Sequence, residues 1–264
     1  MNNENYGDLK ISGSGSAGGG NYNVVSISGS GKITGDINCE SFSISGSGKV
    51  EGVVTTTSFK ISGSGRVTKD LNCSRGAISG SGKIEGNVNG GSFTISGSGG
   101  IGQSFKGDEL TINGAGKVGG GISANKVRLL GAVSVEKDVE GELIDIKGAL
   151  TTRGMVNGDE VNIELDGKTE IEEIGATKVK VLKSINPMGM VTRLIYSLFS
   201  RKEYGYLYVK TIEADDIYLE NTIADVVRGE RIILGEGCKI KRVEFKEELV
   251  KKDNSSVIDE EMKL

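Results

Sequence analysis

The residues able to do chemistry are few and poorly placed for catalysis. The chain of 264 residues contains no histidine, which excludes a Ser-His-Asp triad, a Cys-His nucleophile and any metal site built on imidazole. Asp215 and Asp216 form an isolated acidic pair, which we expect to end a strand. We therefore predict no catalytic, cofactor-binding or metal-binding residue, no cofactor and no small-molecule substrate.

The feature that organises the chain is an internal repeat. The pentapeptide Ile-Ser-Gly-Ser-Gly occurs six times, with a first step of 16 residues and later steps of 17. It starts at Ile11, Ile27, Ile44, Ile61, Ile78 and Ile95. Three further apolar columns keep this period, and in one repeat they are Phe42, Val50 and Val54.

The spacing of these columns predicts strands. Phe42 and Ile44 flank a polar residue, the two-residue period of a strand with one buried face. The 42 glycines oppose helix and suit corners, where a positive φ favours glycine. One repeat cannot bury its apolar face alone, so successive turns must stack with parallel pairing.

The predicted fold is therefore all-β, a single-stranded parallel β-helix with about 17 residues per turn. Three short strands and three corners per turn predict a triangular cross-section. A right-handed coil is favoured, because parallel crossovers have that hand in almost all proteins.

The chain divides into five predicted segments. An N-terminal tail over 1–8 precedes a regular β-helix over 9–183, and a helical insertion over 184–206 precedes terminal β-helix turns over 207–245. Residues 246–264 are mostly charged and lack periodicity, which predicts a disordered tail.

The insertion is predicted to be one amphipathic α-helix. Asn186 can cap it and Pro187 suits its first position. Its apolar residues, at helical spacing, are Met188, Met190, Val191, Leu194, Ile195, Leu198 and Phe199. Two interpretations stay open, since this helix could pack on the side or end of the β-helix as a cap, or contact a membrane surface or partner.

Cysteines and basic residues also follow the repeat. Cys39 and Cys73 share one column two turns apart, nearly 10 Å at about 4.8 Å per turn and beyond disulfide reach. We expect them, and Cys238, to be small packing residues. The basic column is predicted to be a solvated corner, or alternatively a contact for an anionic partner, and comprises Lys32, Lys49, Arg66, Lys83 and Lys117.

Composition favours a cytoplasmic protein. The net charge of −4 argues against nucleic acid as a partner. The N-terminus lacks the basic and apolar regions of a secretory signal, and no run of 18 apolar residues occurs. We expect a cytoplasmic location, with the inner face of the cell membrane as an option.

The pattern Ile-x-Gly-x-Gly followed by Lys or Arg, Val or Ile, any residue and Gly resembles the bactofilins, the bacterial polymer-forming cytoskeletal proteins. The resemblance covers most of 9–183 and, more loosely, 207–245. It implies a right-handed β-helix that polymerises end to end without nucleotide, as a scaffold in cell shape, wall synthesis, polarity or flagellar assembly. The chain departs from typical members in its larger number of turns, its insertion and its lack of an apolar N-terminal patch.

Uncapped terminal turns would expose strand edges and apolar columns. We therefore predict a head-to-tail homopolymer whose interface comprises Leu9, Ile11, Val24, Val25, Ile27, Ile240, Val243 and Phe245. Other partners would be the membrane surface or proteins of cell-envelope or flagellar assembly. The alternatives are a binding module that does not polymerise and an enzyme of the sugar-active β-helix type, which would need carboxylates clustered in a groove.

Overall fold

The computed structural model describes residues 6–184 and 205–264, and these form strands and turns without a helix. They belong to two compact units. The first comprises Met1–Val127 and Val133–Lys137, and the second comprises Arg128–Ala132 and Asp138–Leu264. The boundary passes through strand β12 (Ile122–Val135).

The first unit is a parallel β-solenoid. Its strands are β1 (Leu9–Ile11), β2 (Ser14–Ile27), β3 (Ser30–Ile44), β4 (Lys49–Glu51), β5 (Val54–Ile61), β6 (Arg66–Val67), β7 (Leu71–Ile78), β8 (Lys83–Ile84), β9 (Val88–Ile95), β10 (Gly100–Ile101) and β11 (Phe105–Val118). Ile44 pairs with Ile61, and Ile61 with Ile78, in parallel register. The predicted 17-residue turn is therefore confirmed as the pairing unit.

The second unit is a parallel β-solenoid as well. Its strands are β13 (Val139–Thr152), β14 (Met155–Leu165), β15 (Thr169–Lys183), β16 (Leu207–Leu219), β17 (Thr222–Leu234), β18 (Lys239–Lys251) and β19 (Val257–Lys263). The turns are less regular, because Leu207 pairs with Thr222 whereas Ile240 pairs with Ile258. The described residues thus confirm an all-β parallel solenoid.

The apolar columns form the core, as predicted. In one turn of the first unit, Phe42 is 1% exposed and Ile44, Val50 and Val54 are fully buried. The rings of Phe42 and Phe59 stack with centroids 5.3 Å apart. Gly76 interrupts this aromatic column, and a Cβ there would lie 2.3 Å from the ring of Phe93. The missing side chain leaves space that Phe93 occupies.

The corner glycines are required by close backbone approach. A Cβ at Gly63 would lie 2.3 Å from the carbonyl oxygen of Gly46, and the same contact recurs down the column. A positive φ occurs in this column at Gly114, Gly131 and Gly148. The expectation of a positive φ therefore fails for the earlier members, Gly29, Gly46, Gly63, Gly80 and Gly97, where space between turns is the reason for glycine.

Polar side chains form hydrogen bonds between successive turns at another corner. The Asp70 carboxylate accepts from the backbone N–H of Asn87 at 2.7 Å, and the Asn87 side chain accepts from the N–H of Ser104 at 3.2 Å. The Ser104 hydroxyl accepts from the N–H of Gly121 at 3.1 Å. Each bond satisfies a corner donor that the strand ladder leaves unpaired.

The prediction of a disordered tail over 246–264 is wrong. Residues 246–251 continue β18, and Val257–Lys263 form β19, which pairs with β18. Carboxylates in this segment face arginines of the preceding turn: the Arg231 guanidinium lies 2.8 Å from Glu247, and the Arg242 Nε lies 2.8 Å from Glu260. Opposite charges facing each other across strands stabilise pairing, which a count of charged residues does not reveal.

The predicted helical insertion lies outside the described residues, apart from Ser184, Gly205 and Tyr206. Strand β15 ends at Lys183 and β16 begins at Leu207. The seven apolar residues assigned to that helix fall in the same undescribed part of the chain.

Replacement of Gly63 tests the close approach at the corner. We expect Gly63→Ala to lower the free energy of unfolding by about 1–3 kcal/mol, because the added Cβ overpacks against the Gly46 carbonyl. The matched control is Gly13→Ala at the first position of the same column, where a Cβ would meet nothing within 4 Å. Urea denaturation measures both, and equal stability of the two variants would contradict the argument.

Replacement of Arg242 tests the order of β19. Arg242→Met removes the ion pair with Glu260 while keeping an aliphatic stem, and exposed pairs contribute about 0.2–1 kcal/mol. We expect amide exchange in 257–263 to become roughly two- to fivefold faster. Lys10→Met, which breaks the exposed Lys10–Asp8 pair, is the control. Exchange of these amides in the wild type at random-coil rates would show that β19 does not form.

Candidate functional site

The N-terminal turn has one open edge. Strand β1 pairs with β2 on one side, Leu9 with Val25 and Ile11 with Ile27. No other strand among the described residues pairs with β1. Leu9 is half-buried and Ile11 is 9% exposed, so these two apolar side chains form the outermost layer of that part of the core.

The other residues predicted for the N-terminal interface lie beneath this layer. Val25 and Ile27 are fully buried because β1 covers them. Val24 is half-buried and lies beside Ser41 in the ladder. A neighbouring molecule could reach Leu9 and Ile11, whereas Val25 and Ile27 are out of its reach.

Tyr22 lies at the same end of the first unit. The sequence pattern did not identify it as a residue of this end. Its hydroxyl donates to the carbonyl of Gly18 at 3.2 Å. Its ring lies beside Gly20, where a Cβ would be 3.6 Å from the nearest ring carbon. Gly20 pairs with Ile37, which is 2% exposed, so the ring lies beside the first position of that apolar column.

Strand β19 covers the residues that were predicted for the C-terminal interface. Ile240 is 2% exposed and Val243 is fully buried, since β19 pairs alongside both. Phe245 is half-buried, and the Lys263 ammonium lies 6.0 Å from the centroid of its ring. All three residues predicted for this end thus lie under or beside the last strand.

Two charged residues occupy core-column positions in the outermost layer of this end. Lys251 pairs with the fully buried Leu234, and Glu261 pairs with the fully buried Val243. Both Lys251 and Glu261 are exposed. Both residues can be found in the sequence by following the apolar columns for one more turn. The prediction of a disordered tail over 246–264 instead ended these columns at residue 245.

The basic column of the first unit is partly neutralised by carboxylates. Glu51 forms ion pairs with Lys32 at 2.9 Å and with Lys49 at 2.6 Å. The hydrogen bond from Lys49, followed by that from Lys32, lowers the pKa of Glu51. Arg66 is 3.1 Å from Glu85. This arrangement agrees with a solvated corner and favours no particular anionic partner.

The acidic pair predicted to end a strand lies inside one. Asp215 and Asp216 both belong to β16, which continues to Leu219. The Arg231 Nε lies 2.6 Å from Asp216 and its hydrogen bond lowers the pKa of that carboxyl. The expectation failed because Arg231, one turn further along the chain, stabilises the carboxylate within the strand.

An open groove on the second unit is lined mainly by β15, β16 and β17. Charged side chains that line it form ion pairs: Lys210 pairs with Glu172, and Asp225 pairs with Lys241, which lies outside the lining, at 2.6 Å. The hydrogen bond that the Lys210 ammonium donates to the Glu172 carboxylate raises the pKa of Lys210. Within the described parts of the chain, no cluster of three Cys, Asp or Glu could hold a metal ion.

The three thiols are buried, free and separate. The Cys39 thiol donates to the Thr56 hydroxyl at 3.5 Å, and the Cys238 thiol donates to the Leu219 carbonyl at 3.3 Å. Desolvation raises the pKa of all three thiols, that of Cys73 to about 11. A raised pKa keeps a thiol protonated at neutral pH and therefore a poor nucleophile.

Comparisons with known proteins add relatives over part of the chain. The chain is 37% identical over 111 residues to "Uncharacterized protein YhbF" of Bacillus subtilis (strain 168), covering 42% of each protein. It is 35% identical over 92 residues to "Uncharacterized protein YhbE" of the same organism, covering 34% of this chain and 35% of that protein. The matches thus span less than half of each relative's length.

No family model matches the chain, and no solved structure does. In the segments 6–184 and 205–264, no helix is long and apolar enough to cross a membrane.

Thiol reactivity tests the burial of the cysteines. At pH 8 we expect none of the three thiols to react with a disulfide reagent in the folded protein within minutes, because each stays protonated and covered. In denaturant all three should react. Rapid labelling of Cys39 or Cys73 in the native protein, located by mass spectrometry, would contradict their placement in the core.

Proposed function

We propose that this protein is a non-enzymatic scaffold that associates with itself end to end, without nucleotide, into filaments. The observation that carries the proposal is the open edge of β1, where Leu9 and Ile11 form an uncharged outer layer. An unpaired strand edge is a template for another strand. A cytoplasmic, bactofilin-like role supporting cell shape, wall synthesis or flagellar assembly is part of this proposal.

The expected contact is head to tail. If the last strand of one molecule paired beside β1 of the next, the parallel ladder would continue across the junction. A contact between two different surfaces does not close on itself, so repeated addition produces a filament. Backbone hydrogen bonds and apolar burial supply the association free energy, and neither requires nucleotide hydrolysis.

We also propose a triangular cross-section and a right-handed coil for the solenoid. Between β3 and the following turn, pairing occurs in three stretches, 32–34, 37–39 and 41–44. Three paired stretches per turn support a triangular cross-section. The strong preference of parallel crossovers for one hand supports right-handed coiling.

Substitution at Leu9 tests the proposed interface. We expect Leu9→Lys to weaken self-association by roughly tenfold or more, because a junction formed there would bury an unpaired ammonium. Ser12→Lys adds the same charge at an exposed position just beyond β1 and is the matched control. Light scattering and electron microscopy across a range of protein concentrations measure the effect.

Two outcomes would overturn the proposal. One is a wild-type protein that stays monomeric at every concentration, which would favour the alternative of a binding module that does not polymerise. The other is association that Leu9→Lys and Ser12→Lys reduce equally, since the β1 edge would then have no special part in it.

A further inference from the structure

We infer that Lys251 and Glu261 form an electrostatic stop that limits self-association at the C-terminal turn. The inference rests on the proposed function, because it concerns the second of the two ends that a head-to-tail junction would join. It assigns to these two side chains control over the length of the assembly.

Lys251 and Glu261 both occupy positions in the apolar columns of the core. The column that ends at Glu261 contains Ile212, Val227 and Val243, all fully buried. The column that ends at Lys251 contains Leu219 and Leu234, also fully buried. An ionisable side chain thus stands in the last layer, at a position that is apolar in the layers beneath it.

Lys251 and Glu261 form no ion pair, since in the described part of the chain no opposite charge lies within ion-pair distance of either side chain. Neighbouring charges of the same strands are engaged, as in the pairs of Arg242 with Glu260 and Arg231 with Glu247 at 2.8 Å each. The outward charges therefore form cross-turn ladders, whereas the two charges at column positions remain solvated.

The outermost layer at the N-terminal turn differs in charge from the outermost layer at the C-terminal turn. At the N-terminal turn the corresponding layer contains Leu9, Ile11, Ala17 and Gly20, which pair with Val25, Ile27, Ile33 and Ile37. None of them carries a charge that could neutralise an incoming partner. A junction between the two ends would therefore desolvate Lys251 and Glu261 without giving either a counter-ion.

The consequence is that growth is opposed at every head-to-tail junction. Inward-pointing charges on edge strands are a known way in which β proteins prevent uncontrolled edge-to-edge association. The wild-type chain should therefore form short assemblies, and removal of the two charges should lengthen them.

The experiment compares the wild-type chain of 264 residues with Lys251→Val/Glu261→Val, which leaves the net charge unchanged. The matched control is Lys180→Val/Glu140→Val, which makes the same replacements at exposed positions of β15 and β13, where neither side chain forms an ion pair with another described residue. Sedimentation and electron microscopy give the concentration for half-assembly and the filament length. We expect that concentration to fall about tenfold or more in the first variant and to change little in the control.

Two further variants keep the test decisive. Lys251→Gln/Glu261→Gln removes the charges with little change in size, and it should shift assembly in the same direction if valine disturbs folding. Adding Leu9→Lys to the valine pair should abolish the gain. If the gain persists, association does not pass through β1 and the inference is overturned.

The results separate the inference from the proposed function. If the wild type assembles through β1 but both neutral variants assemble like it, the stop is overturned and the scaffold proposal stands. If the wild type is monomeric and the neutral variants form filaments, the stop is supported, and end-to-end assembly of the natural chain is overturned. If no variant assembles, both fall.

Discussion

The close approach of one turn to the next at the glycine corner is the constraint on which the rest of the structure depends. The Gly46 carbonyl oxygen occupies the space in which a Cβ on Gly63 would lie. Because no side chain separates the backbones there, neighbouring turns can remain at strand-pairing distance all the way round. That spacing aligns Ile44 above Ile27 and keeps each apolar column in contact with itself.

The same spacing determines how the surface is stabilised. Any residue lies one strand spacing from its counterparts in the turns before and after, so like charges repel and unlike charges attract along a column. The first unit tolerates a basic column because carboxylates such as Glu51 lie between its members. The second unit alternates charge between turns, as in Glu213, Arg228 and Glu244, which are linked at 3.2 and 2.6 Å.

The outermost N-terminal layer of the first unit and the outermost C-terminal layer of the second unit differ chemically. The N-terminal layer is apolar and small, with Tyr22 lying beside part of it. The C-terminal layer carries Lys251 and Glu261 at column positions. Since successive turns bury the same columns, these columns become accessible only in the terminal layers, where the chemistry of the side chains can differ.

The spacing of residues along the chain is enough to predict the all-β solenoid, the 17-residue period and the buried columns, because every turn repeats that local pattern. It also places Leu9 and Ile11 in the first turn. Contacts between turns, in contrast, show that β1 covers Val25, that Arg228 and Arg242 pair with carboxylates of neighbouring strands, and that Glu261 ends an apolar column. Those outcomes depend on which residues lie across from one another in neighbouring turns, and where the repeat becomes irregular the linear spacing no longer encodes that register.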